Sequence, residues 1–230
     1  EPNNKVLVKI REGVKWSDGE PLKIEDLILP YEIISHKDYE GGRYDGEIQN
    51  ILGVEEYYAG TADTISGLVK VDETTLEISF KKLSPAIYSG GDGLWTYAAP
   101  SHQIADIPVA DLLSHDAVRK NPVTLGAFKF DKIVPGESVQ YVANELYWKG
   151  KPKLDGVLVK VVPSSSISVA IKSGEYDIVQ SFNATKWEEI QGIDNIDILG
   201  RPELYYSYLS YKLGKYDYEN NTVVTDVEGS

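Results

Sequence analysis

Three histidines, His36, His102 and His115, are the natural starting points for acid–base or metal chemistry, and none has a histidine partner at ligand spacing. Cysteine is absent, so a zinc site would have to rest on carboxylates and no thiolate nucleophile exists. The histidines therefore read as surface or capping residues. Ser114-His115-Asp116 contains the residue types of a hydrolytic triad, but neighbours in sequence point in different directions and cannot form a relay. Gly90-Gly91-Asp92-Gly93 lacks both the spacing and the lysine of a phosphate-binding loop. The oxygen-rich runs Asp194–Asp197 and Asp217–Asn221 do not follow the ligand spacing of a calcium loop. Thirty-six Asp and Glu residues always supply some candidate acid–base pair, and nothing in their placement singles one out. No catalytic residue, metal or cofactor is indicated, and no enzyme signature emerges from these residue types.

The bulk properties narrow the binding partner. With 230 residues, 42% of them hydrophobic and 10% aromatic, the chain can bury a real core, which excludes disorder as a description of the whole. Its net charge of −13 repels phosphate, so nucleic acid is excluded as a partner. No window approaches the length of a membrane span, and Glu1-Pro2-Asn3-Asn4 is not an apolar leader. Methionine is absent even at position 1, so the chain is expected to be a soluble piece of something longer.

The elements that would position a binding surface can be read from periodicity. Residues 5–10 alternate as a strand, and Gly13 to Pro21 is rich in turn residues. Ile24, Leu27, Ile28, Tyr31 and Ile34 recur at helical spacing, with Pro30 expected to kink or shorten that helix. Residues 47–59 read as a second helix weakened by Gly53, and 68–71 with 75–81 as a hairpin whose second strand alternates through Leu76, Ile78 and Phe80. Residues 84–108 are mostly irregular, and 109–120 form a short helix. Beyond Asn121-Pro122 strands dominate, at 127–134, 138–144 and 156–162. A helix over 164–173 ends at Gly174, and a strand at 176–180 follows it. Thr185-x-x-Glu188 suggests a capped helix over 184–191, with Asn183 as a further cap candidate. Strands at 196–200 and 203–213 precede a polar, exposed tail from Gly214.

Three segments then carry a resemblance. Val6-Leu-Val-Lys-Ile-Arg-Glu-Gly-Val-Lys-Trp-Ser-Asp-Gly-Glu-Pro-Leu-Lys-Ile-Glu-Asp26 supplies the most specific pattern, with Gly13 and Gly19 for tight turns and Trp16 to pack the connection. Asn121-Pro-Val-Thr-Leu-Gly-Ala-Phe-Lys129 leads through Val134-Pro-Gly-Glu-Ser138 to Asn144-Glu-Leu-Tyr-Trp148, and Ser173-Gly-Glu-Tyr-Asp-Ile178 is the third. Together they resemble the extracellular solute-binding proteins of family 5, the oligopeptide and dipeptide receptors of ABC importers. Ser84-Pro-Ala-Ile-Tyr and Lys212-Leu-Gly look like its Gram-positive branch. Lys23 stands where the family commonly has a threonine helix cap, so another group is expected to satisfy the first turn. Thr124 replaces a glycine and Ala127 a proline, so that turn is expected to differ locally.

The resemblance implies a mixed α/β, periplasmic-binding-protein-like fold of the peptide-binding class II type, present here as a partial chain. Residues 1–120 would be most of a spacer-like second domain, and 121–230 the middle segment of the first, ligand-binding domain. It implies an oligopeptide ligand, a permease and ATPases as partners, and a parent held at the extracellular face of the cell membrane by a lipid anchor upstream of Glu1. The candidate ligand-binding residues are Ser181, Phe182 and Asn183 after the Gly-Glu-Tyr-Asp-Ile strand, Tyr205, Tyr206 and Tyr208, and Trp95. Tyrosine suits such a surface, offering a rigid face and a hydroxyl at low entropic cost. Core packing is an equally good reading of Tyr206 and Tyr208, since they share one strand face, and packing within the second domain is the better reading of Trp95. Relatives on the same scaffold bind signalling peptides, sugars, nickel or haem, and fold alone does not choose among them. A secreted carboxylate-pair hydrolase is the alternative from another class.

Overall fold

The computed structural model describes residues 4–89, 94, 97–180, 182, 184–194, 196–200, 206–209, 214–217 and 222–224. Its chain divides into two compact units, residues 1–164 and 165–230. The change of texture at Asn121-Pro122 does not coincide with this division. Hydrogen bonds from Ser17 N–H to the Thr124 carbonyl and from Gln103 Nε2 to the Asn121 carbonyl tie the chain together across it.

The first unit opens with a three-stranded antiparallel sheet. β1 (Lys5–Lys9) and β2 (Leu68–Asp72) flank β3 (Thr75–Ser79). β3 is central and buried along nearly its whole length, so Leu76 and Ile78 enter the core, joined by Phe80 just beyond it. The β2–β3 turn forms as its residues dictate: the Asp72 carboxylate accepts from Thr74 N–H at 2.8 Å and Thr74 Oγ1 at 3.0 Å. α1 (Glu25–Ile34) lays Ile24, Tyr31 and Ile34 on this sheet, with Leu27 and Ile28 packed alongside. Its other flank, Leu29 and Ile33, packs with Ile104 of α3 (Ser101–Ile104) and Leu112 in a second apolar cluster.

The single helix expected over 47–59 is two pieces, a 3-10 turn at Ile48–Asn50 and α2 (Val54–Tyr58). Gly53 separates them with a φ of 83°, a conformation that ends one helix and lets the next start. The expected helix over 109–120 is likewise a 3-10 turn at Val109–Asp111 and a short α4 (Asp116–Arg119), whose first turn is capped by His115 Nδ1 accepting from Ala117 N–H.

Pro30 does not stop α1. Proline has no N–H for the Asp26 carbonyl four residues earlier, and the Ala99 N–H takes that carbonyl at 2.8 Å instead. The Asp26 side chain, 1% exposed, is used as fully. Its Oδ2 accepts from Trp16 Nε1 and from Lys23 N–H, both at 2.9 Å. Its Oδ1 accepts from Ser101 N–H at 2.9 Å and Ser101 Oγ at 2.6 Å. Asp26 reaches back to take the Lys23 N–H at the entry to its own helix, as the third residue of a capping box does, while no side chain caps the first turn itself.

A second antiparallel sheet completes this unit, with β5 (Ser138–Ala143) between β4 (Phe128–Val134) and β6 (Gly156–Lys160). Val157, Leu158 and Val159 of β6 are all exposed although successive residues point to opposite faces.

The second unit holds α5 (Ile167–Ser173), α6 (Trp187–Ile190) and an antiparallel pair of β7 (Lys215–Asp217) and β8 (Thr222–Val224) within the polar tail. α5 ends as the sequence predicts: Gly174, at φ 68°, donates to the Ile171 carbonyl, and Glu175 N–H donates to the Ala170 carbonyl, a Schellman stop. The strands expected at 176–180 and 196–200 are not formed in any described residue there, and 206–209 is likewise irregular. The expected helix over 184–191 is a 3-10 turn at Ala184–Lys186 running into α6, which has no side-chain cap at its first residue.

Replacing Asp26 by alanine strands four donors in a dry setting and is expected to cost about 3–5 kcal/mol. Asp26→Asn keeps one acceptor oxygen and should cost about half as much. Urea unfolding followed by near-ultraviolet circular dichroism measures both; a loss below about 1 kcal/mol for the alanine variant would contradict the role given to Asp26.

Candidate functional site

Two of the three signature segments turn out to be fasteners, and the third supplies the glycine stop of α5. In the first, the Trp-Ser-Asp-Gly turn closes a tight hairpin through Trp16 N–H to the Glu20 carbonyl, Gly19 N–H to the Trp16 carbonyl and Leu22 N–H to the Val14 carbonyl. Trp16, 2% exposed, is held from below by Asp26. In the second segment, Thr124 builds the local turn that its replacement of glycine called for: its Oγ1 accepts from Gly126 N–H at 2.9 Å. Thr124 N–H donates to Ser17 Oγ at 3.1 Å and its carbonyl accepts from Ser17 N–H at 2.9 Å, so the two segments are stitched together. Asn144, also 1% exposed, secures the turn from inside, donating from Nδ2 to the Gly126 carbonyl and accepting Leu146 N–H on Oδ1. Arg11 of the first segment lies over the Trp148 ring of the second, 5.0 Å from its centroid, and Lys149 Nζ lies 4.7 Å from it.

These contacts show what sequence reasoning missed. Asp26 and Asn144 stand in the signature segments with no role that the sequence assigns them, and Ser101 stands in no motif. The available signal for Asp26 was the proline four residues later. A carbonyl without its helical donor beside a carboxylate in the first turn makes a concentrated acceptor, which draws donors from elsewhere in the chain. His102 is not an isolated surface residue: its Nε2 lies 2.8 Å from Asp18 Oδ2, and its ring 6.1 Å from that of Trp16. Among the described residues no group of three His, Asp or Glu side chains gathers as a metal site.

Of the candidate ligand residues, Phe182, Tyr206 and Tyr208 are described, and all three belong to the second unit. Ser181, Asn183, Tyr205 and Trp95 lie outside the described residues. Tyr206 and Tyr208 are 84% and 75% exposed, so neither packs into a core formed by this chain. The strand expected around them is absent at 206–209. Their two-residue spacing nonetheless brings the rings together, with centroids 5.9 Å apart and planes tilted by 41°. Phe182 is half-buried and stands two residues before the 3-10 turn Ala184–Lys186. Such a tyrosine pair can stack on apolar groups and exchange hydrogen bonds through its hydroxyls, which is binding chemistry and not covalent chemistry.

Residues 1–227 match the family described as "Bacterial extracellular solute-binding proteins, family 5 Middle". The chain belongs to this family. Among curated members, it is 31% identical over 223 residues to the oligopeptide-binding protein OppA of Lactococcus lactis subsp. lactis, covering 95% of this chain and 37% of that protein. It is 28% identical over 207 residues to the oligopeptide-binding protein AppA of Bacillus subtilis, covering 89% of this chain and 35% of that one. In structure it is similar to lactococcal OppA complexed with an endogenous peptide in the closed conformation, with a TM-score of 0.88 at 31% identity over 98% of this chain and 42% of that chain. The Bacillus subtilis AppA structure with a nonapeptide matches with a TM-score of 0.69 at 25% identity over 85% of this chain and 36% of that chain. The fold is thus that of the peptide-binding periplasmic-binding-protein class, and this chain of the solute-binding family spans little more than a third of the length of its curated relatives.

The Asp18–His102 pair gives this joint a pH dependence. Burial pushes the Asp18 carboxyl up, but the His102 ring and the Glu20 N–H outweigh it and hold it below the ordinary aspartate value. A carboxyl depressed in the folded state stabilises fully above its unfolded pKa, and that contribution is lost as pH falls through the folded value. Wild type is therefore expected to exceed Asp18→Asn in stability by about 1 kcal/mol at neutral pH, the pair being partly exposed. The gap should close toward pH 2–3. Thermal unfolding across pH 2–8 tests this; a gap that widens in acid would refute it.

Proposed function

We propose that this chain is the middle part of an extracellular oligopeptide-binding receptor that delivers peptides to an ABC importer, and that it binds without catalysing. The observation that carries this reading is its likeness, at 31% identity and a TM-score of 0.88, to a lactococcal protein whose structure holds a peptide. In this reading residues 1–120 are most of a spacer-like domain and 121–230 are the middle segment of the ligand-binding domain. The apolar edge strand β6, exposed on both faces, supports it, because an uncovered apolar edge is ordinarily paired or covered by further chain. Further chain of the parent would supply that cover and the opposing jaw of the cleft.

Tyr206 and Tyr208 are the ligand-contacting pair in this proposal, with Phe182 beside the cleft and Ser181, Asn183, Tyr205 and Trp95 as further members. Extended peptide would be held chiefly through its backbone, with the aromatic faces tolerating many side chains. The permease and ATPases are the partners of the whole receptor, and a lipid anchor outside this chain would keep it at the outer face of the membrane. No helix among the described residues is long and apolar enough to cross a membrane.

Calorimetry of this chain with a mixed oligopeptide pool should show binding no tighter than about 100 μM, since a clamp needs both jaws. Micromolar binding by this chain alone would contradict the domain assignment. Mass spectrometry of ligands co-purified with the full-length receptor should recover peptides; a sugar, haem or nickel complex in their place would overturn the ligand class. In that full-length protein, Tyr206→Ala and Tyr208→Ala should each weaken peptide binding by about tenfold.

A further inference from the structure

Away from the tyrosines, a cavity of about 300 Å³ opens in the first unit between α1, α2 and the segment that follows α3. Its apolar wall comes from Leu29, Ile33, Ile104, Ile107 and Val109. Its polar groups are Glu32 and His36 from the α1 side, Tyr57 from α2, and Asp106. No lysine or arginine lines it.

Glu32 makes the cavity unusual. Its carboxyl is half-buried, and desolvation alone holds its pKa above the ordinary glutamate value. Among the described residues it has neither an ion-pair nor a hydrogen-bond partner; what faces it is the Tyr57 hydroxyl, whose own pKa is raised by burial and then by the Glu32 charge. His36 is engaged elsewhere, its Nδ1 accepting from Asp38 N–H. The carboxylate is thus partly hydrated and unpaired at the edge of an apolar wall, an arrangement open to a cation that carries a hydrocarbon body.

We propose that this cavity binds a small amphiphilic ammonium compound, a short alkyl or aryl amine, with its –NH3+ on Glu32 and its hydrocarbon body against Leu29, Ile33 and Ile104. The chemistry selects this class on three grounds. Glu32 and Asp106 repel anions. The volume sits at the lower end of small-molecule sites. Among the described residues no three metal-ligating side chains gather, so an organic cation fits where a bare metal ion does not. The site lies wholly in the first unit and does not depend on the peptide-receptor reading.

The test is titration of the isotope-labelled 230-residue chain at pH 7.5 and constant ionic strength with n-butylammonium, n-butanol and butyrate. Chemical shifts of Tyr57 and Ile104 provide the readout. Butylammonium should shift them saturably with a Kd in the millimolar range, as expected for a ligand of so few atoms, and tighter than butanol by about tenfold. Glu32→Gln should remove that preference without lowering the melting temperature. Ala105→Trp, which changes an exposed residue at the cavity wall and alters no charge, should block all binding. Equal binding of the three probes, retained preference in Glu32→Gln, or no saturable shift would each overturn the proposal.

Discussion

The first unit depends on one residue being surrounded by donors. Asp26 offers a main-chain carbonyl and both carboxylate oxygens, and the chain brings Ala99 N–H, Ser101 N–H and Oγ, Trp16 Nε1 and Lys23 N–H to meet them. Each partner belongs to a different structural problem: the start of α1, the seat of the Trp16 hairpin, and the return of the chain at 99–101 into α3. A buried carboxylate is tolerable only when its lone pairs are occupied, so these solutions stand or fall together. Pro30 enters the same arrangement by withholding the donor that would otherwise keep the Asp26 carbonyl inside the helix.

From this anchor the fastening spreads outward. Trp16 fixes the hairpin, Ser17 of that hairpin exchanges two hydrogen bonds with Thr124, and Asn144 holds the turn on which Thr124 sits. Arg11 on Trp148 adds a second clasp between the same segments. Two of the residue patterns that identify the solute-binding family are thus the ones that join the two sheets within this unit. They report a common scaffold and leave ligand choice to residues elsewhere, which is why a family assignment constrains architecture more tightly than cargo.

Legibility in the sequence followed the range of the interaction. The core face of α1, the alternating β3, the three strands from 128 to 160 and the glycine stop of α5 were readable, because each is set by periodicity or by one backbone conformation within a few residues. The continuous helix over 47–59 was not, since Gly53 tipped into a left-handed conformation and divided it. The strands expected at 176–180 and 196–200 failed for another reason. A strand exists only where a neighbour takes its N–H and C=O groups, and neither segment belongs to a sheet among the described residues. Within the polar tail β7 and β8 pair with each other.

The candidate site divides along the same line. The three signature segments were properties of the sequence itself, and they determined the family and the mixed α/β class. Tertiary structure alone decided that Tyr206 and Tyr208 are exposed as a pair, that His102 meets Asp18, and that Glu32 ends half-buried with no ion-pair partner among the described residues. Composition and spacing are carried by neighbours in the chain. Exposure and the pairing of a charge are set by residues tens of positions away, and only the folded chain brings those into contact.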